Sequence, residues 1–402
     1  MAESMKKRYI GLLTCFCASA MFLIFQGGKV AFMIFSMVTI LCIYLLMGRW
    51  SGIVRANGER ELDHLGAGME LEAGASLGVR IRLHIPGVWP IPYVIVRDKL
   101  VRKNGESYTF ESSFVPDWKR RGEVSYRTPP LRRGIYTFQE TACITEDIFG
   151  LFRHEGKLSM EKTIRVLPKT IPIRDWKYFH HLAKGIYDHS AHARALRETT
   201  QLNGVREYVY GDRLARIHWN ATARTGVWKS KEFERESLPK MMLVLDANHK
   251  GYSSPEHFEL AVSVLASLIR FGKWRQWSQG MVVTGKKPIV LSPGKDSEHR
   301  QAMMRLLIEV EADGTAPLTQ MLFQLEPQMD SKCFVVLVTP HAPVQLEALQ
   351  RWAGRKQHVL CHLWIDPRSV QMAGNVTDGH PHHLKSYHIR SLEHLPQMLE
   401  GF

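Results

Sequence analysis

Arginine, carboxylate and aromatic side chains are concentrated in residues 204–237, more closely than in any neighbouring stretch. A guanidinium group forms paired hydrogen bonds to a carboxylate or a phosphate, so these arginines either bind an anion or pair with acidic side chains. Acidic residues are as frequent here as arginines, and the phosphate-loop pattern Gly-x-x-x-x-Gly-Lys-Ser/Thr does not accompany them. The sequence therefore favours ion pairs that join two domains over a phosphate site. The side chains concerned are Arg206, Arg216 and Arg224, with Glu207, Asp212 and residues 232–236 as their acidic partners.

A turn followed by a short helix is predicted at the centre of this segment. Gly211-Asp212 is a turn signal, and Asp212 suits the helix N-cap because its carboxylate accepts the free N–H groups of the first turn. Gly226 suits the left-handed residue that closes a helix. The helix is expected to be about three turns long, and its apolar face is expected to comprise Leu214, Ile217, His218 and Ala221.

The pair His218-Trp219 offers an imidazole, a group that carries protons near neutral pH. On the apolar face of a helix, a histidine is more typical of a packed and hydrogen-bonded residue, so the sequence does not favour catalysis by His218. Upstream of the helix, the aromatic pair Tyr208 and Tyr210 is predicted to lie on an extended segment.

This segment resembles the signature of the bacterial "domain of unknown function 58" family of membrane-anchored proteins. That resemblance implies no catalytic activity. It implies a degenerate von Willebrand A-like domain at the C-terminal end, a MoxR-type AAA ATPase as partner, and a transglutaminase-like protein as a neighbour. Two further stretches, residues 132–138 and 147–152, are similar to other family segments. The signature residues are Gly204, Arg206, Glu207, Tyr208, Gly211, Asp212, Arg216, His218, Trp219 and Arg224, followed by Lys231 to Glu236.

The composition favours an anionic neighbour and a reducing compartment. The chain has 402 residues, with 53 Lys and Arg against 39 Asp and Glu, which gives a net charge of +14. Such an excess suits a phospholipid surface or nucleic acid. Three of the six cysteines fall in apolar segments and the other three are scattered, a pattern that argues against a disulfide framework.

Two apolar runs near the N-terminus predict a transmembrane hairpin. The runs are residues 9–25 and 30–47, each near the lower limit of about 17 residues that a membrane-spanning helix needs. Ala18-Ser19-Ala20 resembles a signal-peptide cleavage site, but the apolar run continues through it and a second run follows. Basic residues lie before the first run and after the second, with Lys29 alone between them, so both ends are expected to face the cytoplasm.

The rest of the chain predicts a membrane-anchored α+β multidomain protein. Residues 59–168 contain short alternating patterns with no helix between them, which predict an antiparallel β-sandwich. The predicted strands are residues 79–85, where Val79, Ile81, Leu83 and Ile85 alternate with basic side chains, and residues 93–100, 108–114, 122–127, 134–145 and 163–167. Residues 169–203 are polar and weakly periodic and are interpreted as a linker, and the signature occupies residues 204–237. Buried strands then alternate with helices over residues 238–402, as in a parallel, doubly wound α/β sheet. Ser254 and Pro255 mark the start of its first helix.

The first buried strand of this α/β region ends at Asp246, where a working von Willebrand A domain begins its metal motif Asp-x-Ser-x-Ser. Here Asn248 and Lys250 replace both serines, and a lysine cation disfavours a metal that needs oxygen ligands. Thr315 is the remaining possible match. The sequence therefore predicts no metal and no cofactor, with Asp246 as a structural residue at the sheet edge. A hydrolase that uses Asp246, His249 or His218, with Ser253 or Ser254 as nucleophile, is the enzymatic alternative.

Two weaker patterns remain. His380, His382, His383 and His388 lack the cysteines and the regular spacing of a structural zinc site, so they are interpreted as a solvated tail. The basic run Lys119-Arg120-Arg121, with Arg127, Arg132 and Arg133, suits anionic headgroups better than DNA in a chain held at a membrane, and a solvated loop is an equal alternative.

Taken together, these patterns predict a membrane-tethered cytoplasmic scaffold or adaptor. A binder of anionic lipid or nucleic acid is the second alternative, and such binding would weaken strongly with rising salt.

Overall fold

The computed structural model of the protein describes residues 2–63, 69–179, 202–210, 214, 217–233, 240–329, 333–355, 358–366 and 384–401. The chain divides into two compact units, Met1–Leu167 and Pro168–Phe402. Each unit has its own hydrophobic core.

The first unit begins with two long helices, α1 (Ala2–Gln26) and α2 (Gly28–Met47), joined at Gly27. Gly27 has a φ of 58°, a left-handed conformation that glycine adopts without strain and that allows this one-residue turn. Arg8–Gln26 and Gly28–Met47 are long and apolar enough to cross a membrane, with mean hydropathies of 1.8 and 2.6. Only 6% and 17% of these stretches are buried inside the protein, so they are not helices of a soluble core.

Two β-sheets follow and pack on one shared core. The smaller sheet has the order β1-β3-β6, and the larger has the order β2-β10-β7-β4-β8-β9 with β5 paired to β4. Side chains alternate along each strand, so that Ile81 of β3 and Leu100 of β4 meet in the shared core. The strands are β1 (Asn57–Leu62), β2 (Glu70–Glu72), β3 (Gly78–His84), β4 (Val94–Arg102), β5 (Ser107–Phe114), β6 (Arg121–Arg127), β7 (Gly134–Phe138), β8 (Thr141–Glu146), β9 (Arg153–Leu158) and β10 (Lys162–Leu167).

These strands differ from the sequence prediction in three respects. The strand expected over residues 134–145 is interrupted at residues 139–140, so that β7 and β8 pair with successive parts of β4. The pair β2–β10 is parallel, whereas all other pairs in these two sheets are antiparallel. Strands β1, β2 and β9 were not predicted, because their charged residues hide the alternation: in β9 only Gly156 and Leu158 are buried.

A charged network lies inside the core of the two sheets. Arg60 and Asp98 form an ion pair of 2.6 Å, and both side chains are only 1% exposed. The Asp98 carboxylate also accepts hydrogen bonds from the hydroxyls of Thr141 and Tyr126. The Arg60 guanidinium stacks over the ring of Phe138, 4.3 Å from its centroid. Because its partners supply these bonds, the buried carboxylate remains satisfied without water.

The second unit contains a six-stranded sheet of order β15-β14-β13-β16-β17-β18, parallel except for the edge strand β15. A helix connects β13 to β14 and another connects β16 to β17, and the strand order reverses between β13 and β16. The strands are β13 (Met241–Leu245), β14 (Gln279–Val283), β15 (Ile289–Gly294), β16 (Phe334–Thr339), β17 (Val359–Ile365) and β18 (Leu384–Ile389). The helices of this unit are α3 (Trp219–Thr225), α4 (Pro255–Arg275), α5 (Ser297–Glu309), α6 (Leu318–Leu325), α7 (Glu347–Arg355) and α8 (His394–Glu400).

Helices cover both faces of this sheet. The side chains of Leu243 and Leu245 pack in the core that contains α4 and α5, and those of Met242 and Val244 pack in the core that contains α6 and α7. The predicted start of α4 is confirmed, because the Ser254 hydroxyl accepts the N–H of His257 at 3.2 Å. The doubly wound α/β sheet expected from the sequence is therefore present in this unit.

The polar segment interpreted as a linker contributes to this core over its first part. Ile173, Trp176 and Phe179 are buried against the sheet, and the Trp176 ring lies 5.6 Å from that of Phe334. Residues 180–201 lie outside the described part of the chain. The apolar residues of this stretch are too few to form a periodic pattern, so the sequence did not predict that they pack in the core.

Candidate functional site

The signature segment forms a small substructure of two strands and a helix. Strands β11 (Leu202–Glu207) and β12 (Lys229–Phe233) pair in antiparallel fashion. The pairing extends beyond β11, because Tyr208 N–H donates to Trp228 O at 2.8 Å. The extended conformation predicted around Tyr208 is therefore confirmed.

The helix of this segment, α3, is shorter than predicted. Ile217 pairs with Ser230 in a β-bridge, and His218 N–H donates to Lys229 O at 2.8 Å, so both residues are extended. The helix begins after His218, whose imidazole Nδ1 accepts the N–H of Ala221 at 3.1 Å. The expected apolar face is wrong, because Leu214 is 64% exposed while Ile217 is buried against β12. The predicted closure at Gly226 is confirmed, with a left-handed φ of 69°.

Three of the signature residues, Gly211, Asp212 and Arg216, lie outside the described residues, so the N-cap role of Asp212 stays a prediction. Gly204 lies in β11, and Arg224 is exposed in the last turn of α3. Glu207 pairs with Lys229 across the two strands at 3.1 Å.

Three described side chains of the segment, those of Arg206, Tyr208 and His218, have partners within the segment. Arg206 Nη1 donates to the carbonyl of Glu207 at 3.1 Å. The ring of Tyr208 packs edge-on against that of Trp228, with centroids 5.5 Å apart. His218 uses Nδ1 to cap α3, a structural task in keeping with the packed role that the sequence suggested.

Apolar side chains around these strands face solvent. Tyr210 is almost fully exposed, and Trp219 is 65% exposed at the start of α3. Val209, Val227 and Trp228 are also exposed. Because exposed aromatic side chains in one place are typical of protein contact sites, we call these five residues the aromatic surface of the signature segment.

Asp246 lies at the carboxyl end of β13, where the strand order reverses and where ligands of doubly wound sheets usually bind. Its side chain is fully buried. One carboxylate oxygen accepts the N–H of Asn248 at 3.1 Å, and the other accepts the hydroxyl of Thr339 at 2.8 Å. His341 Nε2 lies 3.6 Å from the second oxygen. Burial raises the pKa of Asp246, although these donors and His341 oppose the rise.

The two residues after Asp246 that replace serines also have internal partners. The Asn248 amide donates to Ala316 O at 3.0 Å, and its oxygen accepts the N–H of Lys250. The side chain of Lys250 is exposed. Within the described residues, no group of three or more His, Cys, Asp or Glu side chains is arranged to hold a metal ion.

Thr339 is a hydroxyl partner of Asp246 that sequence reasoning missed, whereas Thr315, the candidate it named, is exposed. Thr339 ends β16, the strand beside β13, and adjacent parallel strands bring their carboxyl ends together. Because Asp246 and Thr339 each lie at the carboxyl end of a predicted parallel strand, the sequence contained enough information to identify Thr339 as a neighbour of Asp246.

We expect Thr339→Val to lower the stability of the second unit by about 1–3 kcal/mol, because a buried carboxylate loses a donor without gaining water. Thermal unfolding of the purified chain measures this change. The control is Thr315→Val, an exposed position where we expect a change within about 0.5 kcal/mol. Equal effects of the two substitutions would contradict the assigned role of Thr339.

The enzymatic alternative receives limited support from the geometry. Ser253 Oγ lies 3.2 Å from His257 Nδ1, and His257 Nε2 lies 2.8 Å from Ile365 O. The first contact fits the N-terminal capping of α4, because Ser253 N–H also donates to His257 Nδ1, and the second connects α4 to the end of β17. His249 Nδ1 lies 2.8 Å from Gly314 O, while Asp246 and His218 have the separate partners described above. The proposed hydrolase residues therefore do not share one hydrogen-bonded constellation.

The remaining histidine pattern is partly corrected. His388 belongs to β18, an edge strand that was not predicted, and its ring stacks on Trp364 with centroids 4.3 Å apart. Burial lowers the pKa of His388. The solvated tail expected there is thus wrong for His388, while His380, His382 and His383 lie outside the described residues.

Three features define the class of this protein. It has two apolar helices that are mostly unburied, a unit with two β-sheets, and an α/β unit that carries an exposed aromatic surface. Residues 204–386 match the family model described as protein of unknown function DUF58. The uncharacterized protein YeaD of Bacillus subtilis (strain 168) is 24% identical over 300 residues, which are 74% of this chain and 73% of YeaD. The resemblance expected from the signature is confirmed over this region.

Similarity to solved structures is low. Proximal thread matrix protein 1 from the mussel byssus has a TM-score of 0.27 and 10% identity, over 40% of this chain and 46% of that protein. The chain thus spans about half of that protein's length. A CARDB domain from Pyrococcus furiosus has a TM-score of 0.19 and 14% identity, over 28% of this chain and 89% of that domain. At these TM-scores, neither structure defines the fold or the function of this chain.

Proposed function

We propose that this protein is a membrane-tethered cytoplasmic scaffold or adaptor that binds another protein through its signature segment. The observation that supports this most strongly is the aromatic surface around β11, β12 and α3. Tyrosine and tryptophan are the side chains that most often dominate the binding energy of protein interfaces. The partner that the family resemblance suggests is a MoxR-type AAA ATPase, with a transglutaminase-like protein as a further component of a cell-envelope system.

Helices α1 and α2 serve as the anchor in this proposal. Their apolar side chains face outward, as in Ile24, Phe25 and Met37. A helix that is apolar on all sides requires a lipid or protein environment, and within the described residues these stretches are mostly unburied. The basic residues at the N-terminal end of α1 and the single lysine at the start of α2 support a hairpin with both ends in the cytoplasm.

The α/β unit is proposed to be a degenerate von Willebrand A-like domain that binds protein without a metal. The strand order of its six-stranded sheet, numbered within that sheet, is 3-2-1-4-5-6 with an antiparallel edge strand. Asp246 occupies the position of the first metal ligand in such a domain. Its two oxygens already accept hydrogen bonds from Asn248 and Thr339. These internal bonds support a structural role at the sheet edge.

We expect Trp219→Ser to weaken binding of the purified MoxR-type ATPase from the same cell by about tenfold or more, as for a central interface tryptophan. Affinity capture by the full chain in detergent, with titrated ATPase, measures the change. The matched control is Trp274→Ser, since Trp274 in α4 is 66% exposed and Trp219 is 65% exposed. The control should bind as the unaltered protein does.

Two outcomes would contradict separate parts of this proposal. Wild-type affinity in Trp219→Ser would show that the aromatic surface is not the docking site. Absence of binding by the unaltered chain would rule out this partner. Repeating the titration over a range of salt concentrations tests the alternative of an anionic ligand, because binding to phosphate-bearing ligands weakens steeply with salt. Binding through a buried apolar contact should change little.

A further inference from the structure

Three loops at one end of the β-sheet unit carry exposed apolar side chains. The loops are residues 85–93 before β4, residues 115–120 after β5, and residues 147–152 between β8 and β9. Each loop presents at least one apolar side chain to solvent, and Trp118 is fully exposed at the tip of its loop. We call these residues the loop surface: Val88, Val115, Trp118, Ile148 and Phe149.

The turn that presents Ile148 and Phe149 is held by Asp147. The Asp147 carboxylate accepts the N–H of Phe149 at 2.8 Å and also that of Phe152, and Gly150 N–H donates to Asp147 O at 2.9 Å. Such an aspartate-capped turn fixes its backbone locally. The two apolar side chains are therefore exposed by a defined turn.

This loop surface adjoins the ends of both apolar helices. Arg8 of α1 donates to Leu151 O at 2.7 Å, and the ring of Tyr9 lies 4.5 Å from that of Phe152. Near the end of α2, the ring of Tyr44 lies 5.9 Å from Trp89 and 6.5 Å from Phe149. The loops thus lie at the level where the hairpin would leave a bilayer.

Arg120 connects the loops to the chain that follows α2. Its guanidinium donates to the backbone carbonyls of Ile85, Trp89 and Ser51. Burial lowers the pKa of Arg120. Arg120 belongs to the basic run that was expected to face anionic headgroups. That expectation is wrong for Arg120, whose guanidinium instead holds the loops through these backbone carbonyls. Arg133, another member of that set, is fully buried.

We propose that the loop surface inserts into the interfacial region of the bilayer, so that the β-sheet unit lies against the membrane that anchors it. This inference rests on the proposed anchoring by α1 and α2. Tryptophan and tyrosine side chains are enriched at the boundary between headgroups and hydrocarbon. The loop surface is continuous with the helix ends at this boundary.

The chemistry of the surface identifies the bilayer interface as its occupant. The five side chains of the loop surface are apolar. The guanidinium of Arg120 is bound to backbone carbonyls. Lys119 and Arg121 beside Trp118 are exposed, and Asp117 lies in the same turn. Basic side chains that flank an inserted tryptophan extend towards headgroups. We therefore expect insertion into neutral as well as anionic bilayers.

Spin labels on the full chain in phosphatidylcholine vesicles test this proposal. Labels are placed by Lys119→Cys beside Trp118, by Met37→Cys within α2, and by Ser107→Cys at the other end of β5. Cys15 and Cys17, the exposed native thiols, are replaced by alanine. Collision with oxygen and with a water-soluble nickel complex reports the depth of each label. Ser107 lies about 23 Å along β5 from Phe114, at the strand spacing of about 3.3 Å per residue.

We expect the label at position 37 to be in hydrocarbon, the label at 119 to be at the interface, and the label at 107 to be in water. Adding Trp118→Ser to the position 119 variant should raise its accessibility to nickel several-fold. An aqueous label at position 119 with a buried label at 37 would overturn this inference and leave the anchor intact. An aqueous label at position 37 would overturn the anchoring itself.

Discussion

Asp98→Ala is expected to destabilise the β-sheet unit by about 3–5 kcal/mol, the cost of breaking a buried ion pair by removal of one partner. The substitution leaves the guanidinium of Arg60 inside the core without its carboxylate, at a place where both side chains are 1% exposed. It also leaves the hydroxyls of Tyr126 and Thr141 without their acceptor. A loss of this size is a large part of the stability of an ordinary domain.

Amide hydrogen exchange of the detergent-solubilised chain measures this effect, because it reports the opening free energy of β4 and β6 separately from the other unit. The matched control is Glu111→Ala on β5, which removes the partner of Arg97 in an exposed ion pair of 2.8 Å. Exposed pairs contribute about 0–1 kcal/mol. Similar losses in both variants would show that burial of the Arg60–Asp98 pair does not determine its contribution.

His362 is expected to make the second unit lose stability in acid. Burial lowers the pKa of His362 from 6.5 to about 3, with a weaker opposing contribution from the backbone of His341. The unfolded chain therefore takes up this proton before the folded chain does. The resulting stability is present above pH 6.5 and is lost as the pH falls from 6.5 towards 3. A pKa change of this size corresponds to about 5 kcal/mol.

Urea unfolding of the second unit at a series of pH values measures this loss. In His362→Gln, we expect the stability to fall much less between pH 6.5 and 3 than in the unaltered chain. Ser386→Ala is the control, because it removes the hydroxyl 2.8 Å from His362 Nδ1 and keeps the titrating ring. Its curve should be displaced but should retain the acid slope. A wild-type slope in His362→Gln would contradict the role of His362.

Asp246 acts in the opposite direction. Its pKa is raised by burial, so the folded chain binds that proton more readily than the unfolded chain does. The corresponding stability is present below its ordinary pKa of 3.8 and is lost as the pH rises through the raised value. The comparison of His362→Gln with the unaltered chain removes this contribution, because both chains contain Asp246.

Local sequence patterns determined many elements of this protein. The two apolar runs form most of α1 and α2, and the residues that alternate around Ile81 form β3. Ser254-Pro255 marked the start of α4, and Gly226 marked the end of α3. These elements were predictable because the residues that define them are close in the sequence and act through the backbone or through periodicity.

Long-range pairing decided the rest. His218 caps α3 because β12 holds Ile217 and His218 in an extended conformation, which no pattern within the helix could show. Thr339 reaches Asp246 because β16 pairs in parallel with β13, although the two residues are 93 positions apart. Arg120 was expected on a charged surface, yet the folded loops direct it to backbone carbonyls. The sequence by itself determined the helices and strands that have a clear local pattern, since local conformation depends on neighbouring residues. Only the tertiary structure decided which polar groups are paired and which aromatic groups remain exposed, since those depend on contacts between distant segments.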